Sequence, residues 1–144
     1  MTGRVAAVNI SEKKGQVKKP VDRGVLVKDF GLEGDAHGGS GHRQVSLLAR
    51  ESIDKMKALG IVGLCTGKFA ENITTEGIAL HTLGVGTRFK VGKAVLEISQ
   101  IGKECHRGCE ILKQVGKCIM PTEGIFARVI EGGEIKPGDK IEVL

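Results

Sequence analysis

A chain of 144 residues, 40% hydrophobic and 27% charged, has the size and balance of one soluble globular domain with one core, so residues 1–144 are read as a single domain. No apolar run approaches the roughly 20 residues that cross a bilayer, and the N-terminus lacks the apolar segment of a signal peptide. The net charge of +5 suits an anionic small ligand or an acidic partner, while the lack of Trp and Tyr, with only four Phe, leaves few platforms for stacking bases and argues against nucleic acid.

These features predict a cytoplasmic protein, whose four cysteines stay reduced and act as ligands, nucleophiles or core filler rather than as disulfides. The 22 glycines are dispersed at the ends of short apolar runs, which predicts many tight turns between short strands.

In chain order, Arg4–Ile10 reads as a first strand. The basic stretch Lys13–Arg23 follows, with Pro20 marking extended chain; it reads as a solvated loop or an anion-facing arm. Gly24–Lys28 is a second short strand. Residues 31–39, GLEGDAHGG, place four glycines in nine positions, and their N–H groups, with Arg43, can bind a phosphate. The spacing is neither a dinucleotide fingerprint nor a P-loop. A plain loop, and a metal site from Asp35, His37 and His42, are the competing readings.

Gln44–Leu48 predicts a strand. Arg50–Leu59 predicts a helix that sets Ile53, Met56 and Leu59 on one face and stops at Gly60. Cys65, in an apolar and glycine-rich setting, reads as core filler. Asn72, just before the strand Ile73–Thr75, reads as a buried asparagine that satisfies backbone groups. Thr87–Val91 and Ala94–Ser99 alternate around Gly92-Lys93, a hairpin signal. Ile125–Ile130 and Lys140–Leu144 are closing strands, separated by turns at Gly132-Gly133 and Pro137-Gly138.

The second strand of the hairpin leads into residues 101–121, which hold three of the four cysteines together with Lys103, Arg107, Lys113 and Lys117. Cys105 and Cys109, four apart, share a face if helical. His106 and Arg107 would favour a thiolate by charge attraction. Four chemistries compete: a structural zinc site from Cys105, His106, Cys109 and Cys118; an iron–sulfur site; a disulfide redox couple; and a single reactive thiolate that carries sulfur or binds a soft metal. The missing CxxC pair and the distance to Cys118 weigh against the first three. Short strands dominate throughout, with one or two helices, so the predicted class is α+β, predominantly β, built as a closed or distorted β-barrel with a few short helices.

The order and spacing of GLEGDAHGG, RQVSLL (residues 43–48), GKFAENIT (residues 67–74), the hairpin LGVGTRFKVGKAVLEIS, GKECHRGCEI and EGIFARVIEGGEIKPGDKI resemble a stand-alone MOSC domain, named for the C-terminal domain of molybdenum cofactor sulfurase. The resemblance covers nearly the whole chain. It implies a mostly β barrel and a cysteine that carries sulfur as a persulfide or ligates molybdenum. That cysteine falls on Cys109, with Cys105 at the place of a second, less regular cysteine that serves as a helper or resolving thiol. The family's Gly-Asp turn falls on Gly34-Asp35, its His-Gly-Gly on His37-Gly38-Gly39, and its Phe-x-x-Asn on Phe69 and Asn72.

The implied function is binding of the molybdenum–pterin cofactor or delivery of sulfur to it. Cys109 would be the thiolate and molybdenum ligand. Arg43, Lys103 and Arg107 would meet the cofactor phosphate, His37 and Asn72 would orient polar groups at the rim, and Gly34 and Asp35 would also bind the cofactor. The implied partners are a cysteine desulfurase, whose pyridoxal phosphate stays on that separate protein, other cofactor-biosynthesis proteins, and an electron-transfer partner. Two rivals stand beside this reading: a molybdenum-dependent reductase of N-hydroxylated compounds, and a non-catalytic cofactor-binding scaffold. A complete reductase is the weaker rival, because the upstream β-barrel domain of larger reductase-type members is not present in these residues.

Overall fold

The structure, a computed structural model, describes residues 2–11, 18–35, 38–39, 41, 44–58, 71–102 and 124–144. Along these residues run β1 (Thr2–Ile10), β2 (Lys19–Val21), β3 (Gly24–Val27), β4 (Gly31–Leu32), β5 (Val45–Ala49), α1 (Arg50–Lys57), β6 (Ile73–Glu76), a 3-10 turn at Leu80–Thr82, β7 (Arg88–Val91), β8 (Ala94–Ile101), β9 (Ile125–Glu131), β10 (Gly133–Ile135) and β11 (Lys140–Val143).

Seven of these strands, in the order β1, β6, β5, β9, β8, β7 and β11, close into a barrel because β11 pairs back onto β1. Closure satisfies backbone groups that an open sheet would leave at its edges. β1 makes this possible by serving several neighbours. Its first residues pair with β11, its last residues with β2, and β6 runs along its other edge, with a register shift between Val5 and Ala7. All the barrel pairs are antiparallel except β5 and β6. A parallel pair needs a crossover, and α1 lies within that connection. A second small sheet, β10-β3-β4, stands beside the barrel.

The interior follows from period-two alternation. In β8, Ala94, Leu96 and Ile98 are buried while Val95, Glu97 and Ser99 between them are half-exposed. Phe89, Val91, Leu47, Ile73 and Val129 join them in one apolar core. The β7–β8 turn is Gly92-Lys93, with Val91 opposite Ala94; Gly92 has φ +57°, which a glycine adopts without steric cost.

The predicted strands are all present within a residue or two of their expected ends. The helix carries Ile53 on its buried face as expected and ends at Lys57; Leu59 and Gly60 lie outside the described residues. Three short strands and the 3-10 turn were not expected. β2 has no apolar alternation, yet it pairs with Val8, Asn9 and Ile10 on an edge where Pro20 is tolerated. β4 and β10 hold two and three residues, too few to show a period.

Phe89 is fully buried in the barrel interior. Phe89→Ala is expected to lower the unfolding free energy by about 3–5 kcal/mol. Urea denaturation measures this, and a loss below about 1 kcal/mol would show that the barrel interior is not the core.

Candidate functional site

Barrel walls alternate, so Ser46, between Val45 and Leu47 of the core, faces outward, as does Thr74 after Ile73. Both are nevertheless buried, along with Asn9, Gln44, Glu71 and Asn72. Polar groups removed from water need partners, and a connected network supplies many of them. Asn72 Oδ1 accepts from the Ser46 amide (3.0 Å) and the Ser46 hydroxyl (3.2 Å), and its Nδ2 donates to the Asn9 carbonyl (3.3 Å). Asn9 Nδ2 donates to the Glu71 carbonyl (3.2 Å) and to Thr74 Oγ1 (3.1 Å), and the Thr74 hydroxyl donates to Glu71 Oε2 (2.8 Å). Asn72 is therefore the backbone-satisfying asparagine that its sequence setting predicted.

The charged centre of this network is an ion pair. Lys18 Nζ lies 2.7 Å from Asp35 Oδ1, and the two side chains are 1% and 0% exposed. The same oxygen accepts from the Ser11 amide (3.0 Å), Lys18 also donates to the Ser11 hydroxyl (3.2 Å), and the Asn72 side chain bonds the carboxylate as well. Burial by itself raises the pKa of Asp35, but hydrogen bonds from Lys18, the Ser11 amide and Asn72 outweigh it, so the carboxyl sits below its ordinary 3.8. This corrects the reading of Lys13–Arg23 as a solvated or anion-facing arm, at least at Lys18: its charge is directed inward.

The network is linked to the cysteine segment by strand register. Asn9 hydrogen-bonds at Asn72, the β5–β6 register sets Asn72 beside Ser46, Ser46 faces Phe126, and Phe126 faces Gln100. These residues form one transverse row over β1, β6, β5, β9 and β8. Just beyond that row lie Gly102 and Gly124, the two flanks of residues 103–123, which link β8 to β9 in sequence. The connection is clamped where Gly102 N donates to the Gly124 carbonyl at 2.6 Å, and Gln100 Nε2 donates to the Gly102 carbonyl at 2.9 Å. A register shift between Ile98 and Gln100 marks a bulge at the entry, a device that re-aims a strand end. A small cleft lined by Leu47, Leu48, Ala49, Thr75, Leu80, His81 and Ile125 lies where β9 begins.

Of the residues predicted for the site, Gly34, Asp35 and Asn72 are described, and the ion-pair network brings the last two together. Cys105, Cys109, Lys103, Arg107, Arg43 and His37 lie outside the described residues, as do Cys65, His106, Cys118 and His42. Among the described residues no three His, Cys, Asp or Glu side chains gather as a metal set. Also among them, the buried side-chain nitrogen of Gln44 has no hydrogen-bond partner, although its Oε1 accepts from the Val129 amide at 3.0 Å. Sequence reasoning missed Lys18, Ser11, Asn9 and Gln44. Asn9 carries a signal, a polar residue inside the apolar run RVAAVNI; Lys18 carries none, being one cation among several.

Residues 33–142 match the MOSC domain family, and the chain belongs to it. That family is linked to molybdenum cofactor binding and sulfur-related chemistry. The chain is 25% identical over 143 residues to YflK of Bacillus subtilis, covering 90% of this chain and 63% of that protein, less than two thirds of the relative's length. The fold is similar to the crystal structure of YuaD from Bacillus subtilis, with a TM-score of 0.82 at 20% identity over 99% of this chain and 96% of that one. It is also similar to YiiM from Geobacillus stearothermophilus, with a TM-score of 0.76 at 18% identity over 99% and 75% of the two chains. No helix among the described residues is long and apolar enough to cross a membrane.

The Asp35 carboxyl makes stability depend on pH with a definite sign. Its folded pKa is depressed, so its contribution is complete above the unfolded value and is lost as pH falls through the folded one. Urea midpoints measured from about pH 6 down to about pH 3 are expected to fall less steeply in a Lys18→Met/Asp35→Leu double variant than in the parent. Parallel slopes would contradict this assignment.

Proposed function

We propose that this chain handles the molybdenum–pterin cofactor through the thiolate of Cys109, which serves as a ligand to molybdenum or as the acceptor of a sulfane sulfur. The observation that carries the reading is the family match over residues 33–142, which contains the cysteine connection clamped between β8 and β9 at Gly102 and Gly124.

The residues fit such a group. A thiolate is a soft ligand that suits a sulfur-bound metal. Arg43, Lys103 and Arg107 supply charge-assisted donors for a phosphate. Gln44, next to Arg43, holds a buried nitrogen donor without a partner among the described residues, which matches an oxygen-rich ligand. Gly34 and Gly39, where a Cβ would meet nothing within 4 Å, leave room for close backbone approach; His37 and Asn72 belong to the rim, and Asp35 to the binding residues. When bound, the cofactor supplies the redox-active metal.

In the sulfur-carrying role, the Cys109 thiolate attacks the terminal sulfur of a persulfide on a cysteine desulfurase. A new sulfur–sulfur bond forms on Cys109, the donor's sulfur–sulfur bond breaks, and the donor cysteine leaves as thiolate, with no net oxidation. Cys105 is the helper or resolving thiol. Pyridoxal phosphate belongs to the desulfurase partner.

Expression with molybdate, followed by metal and pterin analysis and intact mass, tests this. Molybdenum and pterin in near-equal amounts, lost in Cys109→Ser, is the result expected of a ligand. A mass gain of one sulfur atom, absent from Cys109→Ser and without metal, is the result expected of a carrier. Neither signal under any condition overturns both roles. Turnover of an N-hydroxylated base with an artificial electron donor would move the protein to the reductase class.

A further inference from the structure

Lys18 is a lysine with no access to water, and a buried ammonium persists only where a partner holds it. Its partner, Asp35, stands where four pieces of chain meet: the end of β1 through Ser11, the approach to β2 through Lys18 itself, the turn at Gly34, and the entry to β6 through Asn72. From Asp35 the backbone bonding continues into the glycines. Gly38 N donates to the Asp35 carbonyl (3.2 Å), and Gly39 N donates to the Phe30 carbonyl (2.7 Å). A Cβ on Gly38 would lie 2.5 Å from the Phe30 ring, so the backbone is pressed onto that ring.

We propose that Lys18 is a positioning residue of the cofactor site: by holding Asp35 from the inner side, it sets the backbone of Gly34, Gly38 and Gly39, with Gly38 packed onto Phe30. Asp35 Oδ1 accepts from both Lys18 Nζ and the Ser11 amide, which fixes the carboxylate from the inner side. The proposal rests on the cofactor reading only for the nature of the ligand. The placement of the glycines is a property of the chain itself.

The test compares the full chain with Lys18→Met and with Lys18→Met/Asp35→Leu. The double variant removes both charges, so it leaves no unpaired ion to unfold the barrel. Three quantities are read: the urea midpoint, amide exchange by mass spectrometry over the peptide containing Gly38 and Gly39 against peptides from β8 and β9, and the molybdenum and pterin that co-purify after expression with molybdate.

The double variant is expected to keep a midpoint close to the parent's, to exchange about tenfold or more faster at the glycine peptide alone, and to lose most of the pterin. Lys18→Met is expected to show the same local opening with a lower midpoint; if it does not fold, the double variant carries the comparison. Parental exchange in a folded double variant overturns the proposal. So does faster exchange with full pterin retention, because the ligand then does not need the placed glycines. Failure of both variants to fold also overturns it, since the pair would then be holding the barrel as a whole. If the parent itself holds no pterin, the cofactor reading fails separately, and exchange alone decides: local opening supports the placement and its absence overturns it.

Discussion

Two opposite charges removed from water, on Lys18 and Asp35, constrain the end of the barrel more than any other contact described. Neither is tolerable alone in that setting, whereas together, with Ser11 and Asn72 completing the bonding, they form a joint between segments far apart in sequence. The joint lies at the mouth of β1 and β6 and opens directly onto the glycine-rich turn. A surface ion pair such as Arg88 with Glu97 contributes little by comparison, because water screens it. The buried pair gains its importance from having no such alternative.

The barrel supplies the frame on which that joint acts. Closure of β11 onto β1 leaves the seven walls without free edges, and the outer faces of β1, β6 and β5 carry polar side chains that are nonetheless buried. The transverse row from Asn9 through Asn72, Ser46 and Phe126 to Gln100 ties this polar wall to the end of β8, where the cysteine connection departs. Gly34-Asp35 and the flanks of residues 103–123, at Gly102 and Gly124, are thus both tied to one sheet.

Much of this fold was legible in the sequence, for a physical reason. The strands β7, β8 and β11 bury one face each, and burial imposes alternation that the residues display, whereas β1, β5 and β9, with consecutive buried positions, show as short apolar runs. Glycine at 92 and 138 marks turns that need positive φ. What escaped was whatever depends on distant partners. β2 is a lysine-proline stretch that becomes a strand only because β1 offers it an edge. Lys18 looks like its solvated neighbours until Asp35 is brought beside it. The closure of β11 onto β1 joins the two ends of the chain and leaves no local trace. For the site, the motifs singled out Asp35 and Asn72, and the structure adds that these two side chains belong to one buried network.

A double-mutant cycle on Lys18 and Asp35 measures whether the two buried charges depend on each other. Unfolding free energies at neutral pH are measured for the parent, Lys18→Met, Asp35→Leu and the double variant. Strong coupling is expected, with the double variant more stable than the sum of the single losses requires by about 2 kcal/mol or more. Additivity within about 0.5 kcal/mol would show that the two charges do not depend on each other and would contradict the account.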